Sequence, residues 1–233
     1  MIKIEKLRKA YNQKTVLDID HLRIYEGEFL GIVGNNGAGK TTLFRLILDL
    51  IRGDEGFVIS GNEIVSKSEK WKDYTASYLD DSFLIDFLTP EEFYYFIGEI
   101  YDLSKQEVLD KLILFQAFFN NEILGQKKKY IRDFSKGNKQ KIGIASCLIT
   151  DPLVLILDEP FNHLDPTSQI VLKKILKDFS TKTKCTILIS SHDLNHITEL
   201  CSRIIILENG NIMQDLQNDI STLNILQKYF SLD

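Results

Sequence analysis

Residues Gly34-Asn35-Asn36-Gly37-Ala38-Gly39-Lys40-Thr41 match the pattern GxxxxGK[ST] without a mismatch, between an apolar run at 30–33 and a segment of helical spacing. Glycines let such a loop wrap closely around a chain of phosphates, its N–H groups converge on the anionic oxygens, and the helix N-terminus behind it adds a favourable dipole. Lys40 then reaches the β- and γ-phosphates, Thr41 offers its hydroxyl to Mg²⁺, and Thr42 extends the contact surface. A second group lies far along the chain. Leu153-Val154-Leu155-Ile156-Leu157-Asp158-Glu159 is five apolar residues followed by two carboxylates. A buried strand ending in two acids needs a counter-charge, which Mg²⁺ supplies for Asp158. Glu159 is then free to take a proton from an attacking water or to orient it. Alone, this group also fits a pair of solvent-facing strand-end carboxylates; together with the phosphate loop it points to a nucleoside triphosphatase.

Such groups converge only if strands and helices place them at one edge of a sheet. Over residues 15–29 the apolar positions Val16, Ile19, Leu22 and Ile24 alternate with polar ones, which predicts half-buried strands near an edge. Residues 30–33 read as a strand, 34–41 as a loop and 42–51 as a helix. The runs at 153–157, 186–189 and 203–207 are rich in Leu, Ile and Val, as in strands covered on both faces of a mostly parallel sheet, and helical patterns at 166–179 and 193–200 separate them. This alternation predicts an α/β fold with right-handed crossovers. Residues 83–149 break it, with helical patterns at 90–101, 105–118 and 139–149 and no strand between, so they read as a helical insert. That insert holds Phe83, Phe87, Phe93, Tyr94, Tyr95, Phe96, Phe115, Phe118 and Phe119. Aromatics at helical spacing fit the core of a subdomain; a partly exposed docking groove is the other reading. The tail after Asn211 ends in a short amphipathic pattern at Leu223, Leu226, Tyr229 and Phe230.

The chain has 233 residues, 33 acidic and 28 basic, with a formal net charge of -5, 44% hydrophobic and 26% charged. That composition is ordinary for a globular chain and removes it from the disordered class. The mild acidity argues against a partner held by bulk positive charge, so no nucleic acid is expected. Cys147, Cys185 and Cys201 form no CxxC pair and read as reduced thiols packed in a cytosolic protein. The first residues are too charged for a signal sequence, and no apolar run approaches the roughly 18 residues of a membrane span.

With the two motifs in place, nearly the whole chain resembles an ATP-binding cassette (ABC) ATPase subunit. Phe134-Ser135-Lys136-Gly137-Asn138 is similar to the LSGGQ signature, departing at the first, third and fifth places and retaining Ser135 and Gly137. Asn162-His163-Leu164-Asp165-Pro166 resembles the D-loop, and Ile189-Ser190-Ser191-His192-Asp193 the switch-histidine loop. His21, His163 and His196 are read as ordinary polar residues. Tyr11 stands where the family stacks an aromatic ring on adenine, although it could equally close a small N-terminal sheet. The family's Mg²⁺-binding glutamine is replaced, in the register of Ala76-Ser77-Tyr78-Leu79-Asp80-Asp81-Ser82, by Asp81, which can meet Mg²⁺ through oxygen.

The resemblance implies a P-loop, RecA-like core with a mostly parallel sheet, a small N-terminal antiparallel β subdomain and an inserted α-helical subdomain. It divides one nucleotide-binding domain into a core at 1–82 and 150–215, a helical subdomain at 83–149 and a tail at 216–233. It implies ATP and Mg²⁺ as ligands, with Lys40, Glu159 and His192 catalytic. Nucleotide contacts fall to Tyr11, the loop 34–42, Ser135 and Gly137, and metal contacts to Thr41, Asp158 and Asp81. Ser135 would serve the site of the opposite chain in a head-to-tail dimer closed by ATP. The sequence around Tyr78 to Asp81 and the Ser-Lys-Gly-Asn signature are most similar to the ATPase subunits of bacterial ABC-2-type exporters. That likeness implies a separate transmembrane permease and a place on the cytoplasmic face of the membrane. A soluble ABC ATPase without a membrane partner, and a regulatory cassette with little turnover, are the alternatives.

Overall fold

The computed structural model describes residues 1–126 and 128–231. Lys127, inside the expected helical subdomain, and residues 232–233 of the expected tail lie outside the described residues. The chain opens with β1 (Ile2–Tyr11) and β2 (Lys14–Ile24), joined through Asn12 and Gln13, both at positive φ as in the two-residue hairpin turns that match strand twist. After β3 (Phe29–Val33) and the phosphate loop comes α1 (Lys40–Ile47). The expected helix at 42–51 therefore starts earlier and stops short: Gly39 is its N-cap and Asp49 turns left-handed at φ 50. The hairpin β4 (Glu55–Ser60) and β5 (Glu63–Ile64) follows, then β6 (Thr75–Tyr78).

The insert contains α2 (Pro90–Ile100), α3 (Lys105–Ile113), α4 (Gln116–Phe119) and α5 (Lys136–Leu148). Thr89 with Glu92 and Ser104 with Glu107 form complete capping boxes that fix the starts of α2 and α3. The pattern at 105–118 is two helices, not one, since the chain breaks at Leu114 and Phe115 and thereby turns both Phe118 and Phe119 inward. The remaining elements alternate as expected: β7 (Val154–Leu157), α6 (Pro166–Thr183), β8 (Thr186–Ser191), α7 (Leu194–Leu200), β9 (Arg203–Glu208), β10 (Asn211–Gln217) and α8 (Thr222–Phe230). β10 runs two residues past the expected end of the core at 215, and the amphipathic tail docks as α8 with Leu226 buried.

Two sheets result. One is antiparallel, in the order β2-β1-β4-β5, with β2 at its edge; the other has the order β10-β9-β3-β8-β7-β6 and is parallel throughout except for β10. Strands β3, β7 and β8 are buried at every position, which explains the apolar sequence of β3 and β7 and of Ile187, Leu188 and Ile189 in β8, where Thr186, Ser190 and Ser191 are buried as well. One hydrophobic cluster joins one face of this sheet to the aromatic insert; a second joins the other face to α1 and the antiparallel sheet. No described helix is long and apolar enough to cross a membrane.

The aromatic group divides between its two readings. Phe93, Tyr94, Phe115, Phe118 and Phe119 are buried, with ring centroids of Tyr94 and Phe119 6.1 Å apart. Phe83, Phe87 and Phe96 are exposed, Phe87 at 69%. Successive residues on a helix point about 100° apart, so a run of four aromatics on α2 cannot all face inward. The three cysteines are buried and unpaired, and burial pushes the Cys147 thiol up to about 12, as fits packing residues.

Candidate functional site

The parallel register sets the site. Val33 pairs with Ser191 and Leu157 with Ile189, so the residues after β3, β7 and β8 emerge side by side at the carboxyl edge of the sheet. Open α/β sheets hold ligands at this edge. The phosphate loop leaves β3, Asp158 and Glu159 leave β7, and His192 leaves β8. A cleft of about 380 Å³ lies there, lined by Tyr11, Val16, residues 36–42, Asp158 and Glu159. Gly39 adopts φ 109, a conformation costly to any side chain, and the neighbouring Ala38 carbonyl accepts from the Gly210 N–H of the β9–β10 turn.

Lys40 is 7% exposed and donates to the carbonyls of Gly34 at 2.6 Å and Asn35 at 3.4 Å, while its ammonium stands 3.6 Å from Glu159 Oε1. Thr41 Oγ1 donates to Asp158 Oδ2 at 2.5 Å, and Ser190 Oγ donates to the other oxygen of the same carboxylate. Desolvation holds the Asp158 pKa above the ordinary carboxylate range despite these two hydrogen bonds. The donor set suits Mg²⁺, a hard cation that prefers oxygen: a hydroxyl and a buried carboxylate oxygen meet in front of the loop, and phosphate oxygens and water can complete the shell. Among the described residues no group of three or more His, Cys, Asp or Glu side chains could hold a metal alone.

Glu159 sits at φ 48, a left-handed conformation that costs on the order of 1–3 kcal/mol for a non-glycine residue. Hydrogen bonds pin it on both sides. Its N–H donates to Ser190 Oγ at 2.8 Å, and its carbonyl accepts from Gln140 Nε2 of α5 at 3.2 Å. Its carboxylate accepts from the backbone N–H of His192 at 3.3 Å and from His192 Nδ1 at 2.9 Å. These hydrogen bonds therefore hold the strained turn with its carboxylate between Lys40 and His192.

Six expected site residues are not among those lining the cleft: Gly34 and Asn35 reach it only by holding Lys40, His192 by holding Glu159, and Ser135, Gly137 and Asp81 make their contacts elsewhere. Ser135 caps α5, accepting from the Asn138 N–H at 3.3 Å, and a Cβ at Gly137 would stand 2.5 Å from the His163 carbonyl oxygen. Buried Lys141 lies 3.7 Å from Asp165, so the start of α5 packs on the segment after Glu159. Asp81 accepts from the Tyr78 hydroxyl at 3.3 Å. Tyr11 is half exposed at the end of the β1–β2 hairpin, with Lys9 Nζ 5.2 Å from its ring centre. The sequence reading missed Ser190 and Gln140. A serine before His192 was in view, but only the β7–β8 register places it at Asp158, and nothing in the spacing links Gln140 to Glu159.

A larger cavity, about 930 Å³, opens elsewhere between Gly27, Gly61, Tyr74 and Leu153. In its lining Met1 pairs with Glu26 and Lys70 with Glu63, and the phosphate-binding loop is not part of it.

A family model described as ABC transporter matches residues 17–162. The uncharacterized ABC transporter ATP-binding protein MJ1023 of Methanocaldococcus jannaschii is 34% identical over 211 residues, 90% of this chain and 74% of that protein. The bacitracin transport ATP-binding protein BcrA of Bacillus licheniformis is 30% identical, over 94% of this chain and 70% of that protein. Two further curated relatives are longer, and the matches span 54% and 63% of their lengths. A solved structure of an ATP-binding subunit of an ABC transporter superposes with a TM-score of 0.84 at 27% identity, covering 100% of this chain and 94% of that one.

Proposed function

The chain belongs to the ABC transporter family as an ATP-binding cassette that hydrolyses ATP, and from that membership we propose that it energises a separate membrane permease, as the ATPase subunit of an exporter. The observation that carries the hydrolytic part is the meeting of Lys40, Thr41, Asp158, Glu159 and His192 at one sheet edge. Lys40 and the loop N–H groups bind the triphosphate, and the anionic oxygens take the ammonium from the loop carbonyls that now hold it. Thr41 and Asp158 would hold Mg²⁺, which would supply positive charge against the anionic phosphates there. Glu159, kept in place by Ser190, Gln140 and His192, orients the attacking water and accepts its proton. Tyr11 stacks on the base from the rim.

Ser135 and Gly137 lie outside the cleft, which supports a second role for them: they complete the site of another copy in a two-fold, head-to-tail dimer. On this reading residues 83–149 act as the helical subdomain on a core at 1–82 and 150–215. Tyr78, whose hydroxyl donates to Asp81 and whose ring rests on α5, joins that helix to the strand pair that leads to Asp158. Phe83 is exposed in a groove it lines with Tyr78, Leu84, Phe93 and Tyr101, and Phe87 and Phe96 of the same insert are exposed, a surface fit for an apolar permease helix at the cytoplasmic face of the membrane. The similarity to BcrA, a bacitracin transport ATP-binding protein, favours export.

The test uses tagged Glu159→Gln protein purified from detergent-solubilised host membranes with ATP and Mg²⁺. Turnover about 10²–10⁴-fold below the parent is expected with nucleotide binding retained, together with a multi-span membrane protein in about equal amount. Normal turnover would remove Glu159 from the base role, and recovery with soluble partners alone would replace the transporter reading by a soluble ABC ATPase.

A further inference from the structure

His196 takes no part in the nucleotide cleft, yet it is only 9% exposed, on α7 and four residues past His192. Its ring centre is 4.4 Å from that of Phe161, which is buried two residues past Glu159. Its Nε2 stands 3.6 Å from Asp193, the N-cap of α7, whose carboxylate also accepts the Asn195 N–H at 2.8 Å. Its Nδ1 is buried and has no hydrogen-bond partner among the described residues. A buried polar atom left unpaired costs about 1–3 kcal/mol, so packing alone would favour an apolar residue here. Desolvation holds the ring below the ordinary histidine pKa, with Lys173 and His192 adding to that and Asp193 and Glu199 opposing it. The imidazole is therefore neutral at pH 7.

We propose that His196 is a positioning residue for ATP hydrolysis: its ring joins the Glu159 turn, through Phe161, to the helix that begins beside His192, and so fixes the approach of Glu159 and His192. Besides the Glu159 N–H that donates to Ser190 at the end of β8, two side-chain links join these turns. The first, between Glu159 and His192, is half exposed, with the His192 side chain 59% accessible, and water competes for it. The second, between Phe161 and His196, is dry and rests on ring contact, which water cannot replace. The buried link sets the geometry in which the exposed one forms. This inference rests on the assignment of Glu159 and His192 to the hydrolytic site.

The test is steady-state ATPase kinetics and thermal melting of the full chain carrying His196→Leu or His196→Phe, with Glu159→Gln measured alongside. Leucine fills the space without a ring, and kcat is expected to fall about tenfold while KM for Mg-ATP stays within about twofold. Phenylalanine keeps the ring on Phe161, and kcat stays within about threefold of the parent. Both variants lose the orphaned nitrogen and melt no lower than the parent, so a fall in kcat for His196→Leu cannot be a loss of fold. An unchanged kcat for His196→Leu, a KM that rises as far as kcat falls, or an equal loss in both variants would overturn the proposal. Full turnover by Glu159→Gln would instead overturn the site assignment beneath it.

Discussion

Asp158 shows how one side chain carries opposed demands. Its carboxylate is buried, and desolvation raises its pKa over the opposing hydrogen bonds from Ser190 and Thr41. The native state then holds the proton to higher pH than the unfolded chain does, so this group's contribution to stability declines as pH rises from the ordinary value of about 3.9 through the raised one. At neutral pH the metal-free protein bears the whole cost of the buried charge. Asp158→Asn is therefore expected to melt higher than the parent at pH 7 without nucleotide or metal, with the gain gone below about pH 4, and to lose the added stabilisation that Mg²⁺ gives with ATP. Calorimetry at the two pH values decides it; a lower melting point at pH 7 would make the carboxylate a net stabiliser. Asp158, Lys40 and Thr41 were legible because their chemistry is written in adjacent residues. Ser190 and Gln140 were not, because each acts across the fold on a partner 32 or 19 positions away.

The contact of α5 with β6 connects the helical insert to the sheet. At Gly143 a Cβ would stand 2.1 Å from Cε2 of Tyr78, so the helix backbone rests directly on the ring. Tyr78 is buried, its hydroxyl reaches Asp81, and β6 pairs with the strand that ends in Asp158. Gly143→Ala must push α5 outward or swing the ring away, and is expected to lower stability by about 1–3 kcal/mol in urea unfolding. A change under about 0.5 kcal/mol would mean that Tyr78 yields freely and that the two elements are not tightly joined. Strand and helix types along the core followed from local apolar periodicity. The limits of α1 and the break between α3 and α4 did not, because they depend on Asp49 turning left-handed and on both Phe118 and Phe119 finding room inside.

For the molecule as a whole, the separation of Ser135 from the cleft makes a prediction that no single site can. If each nucleotide lies between the phosphate loop of one copy and the signature of another, Lys40→Ala and Ser135→Arg proteins are each inactive alone. Mixed with ATP, they form heterodimers with one intact site and one doubly broken site. Turnover is then expected to recover to about a quarter of the parent's at equal amounts, if copies pair at random and sites act independently. No recovery on mixing, with each variant shown to be folded, would place Ser135 in its own chain's site or outside catalysis.

The sequence alone determined the class of fold, the phosphate loop, the two carboxylates at the end of β7 and the order of the motifs, because each is local: a few residues whose spacing follows the period of a strand or a loop's need to approach phosphate. The tertiary structure decided what depends on elements meeting. The β7–β8 register brought Ser190 to Asp158, and α5 brought Gln140 to a strained Glu159. The facing of α2 chose which aromatics are core and which are surface, and the packing of α7 on Phe161 gave His196 a place no motif assigns. Side-chain contacts across the fold depend on relative positions in space, and no local spacing along the chain displays those positions, since each contact joins residues far apart in sequence.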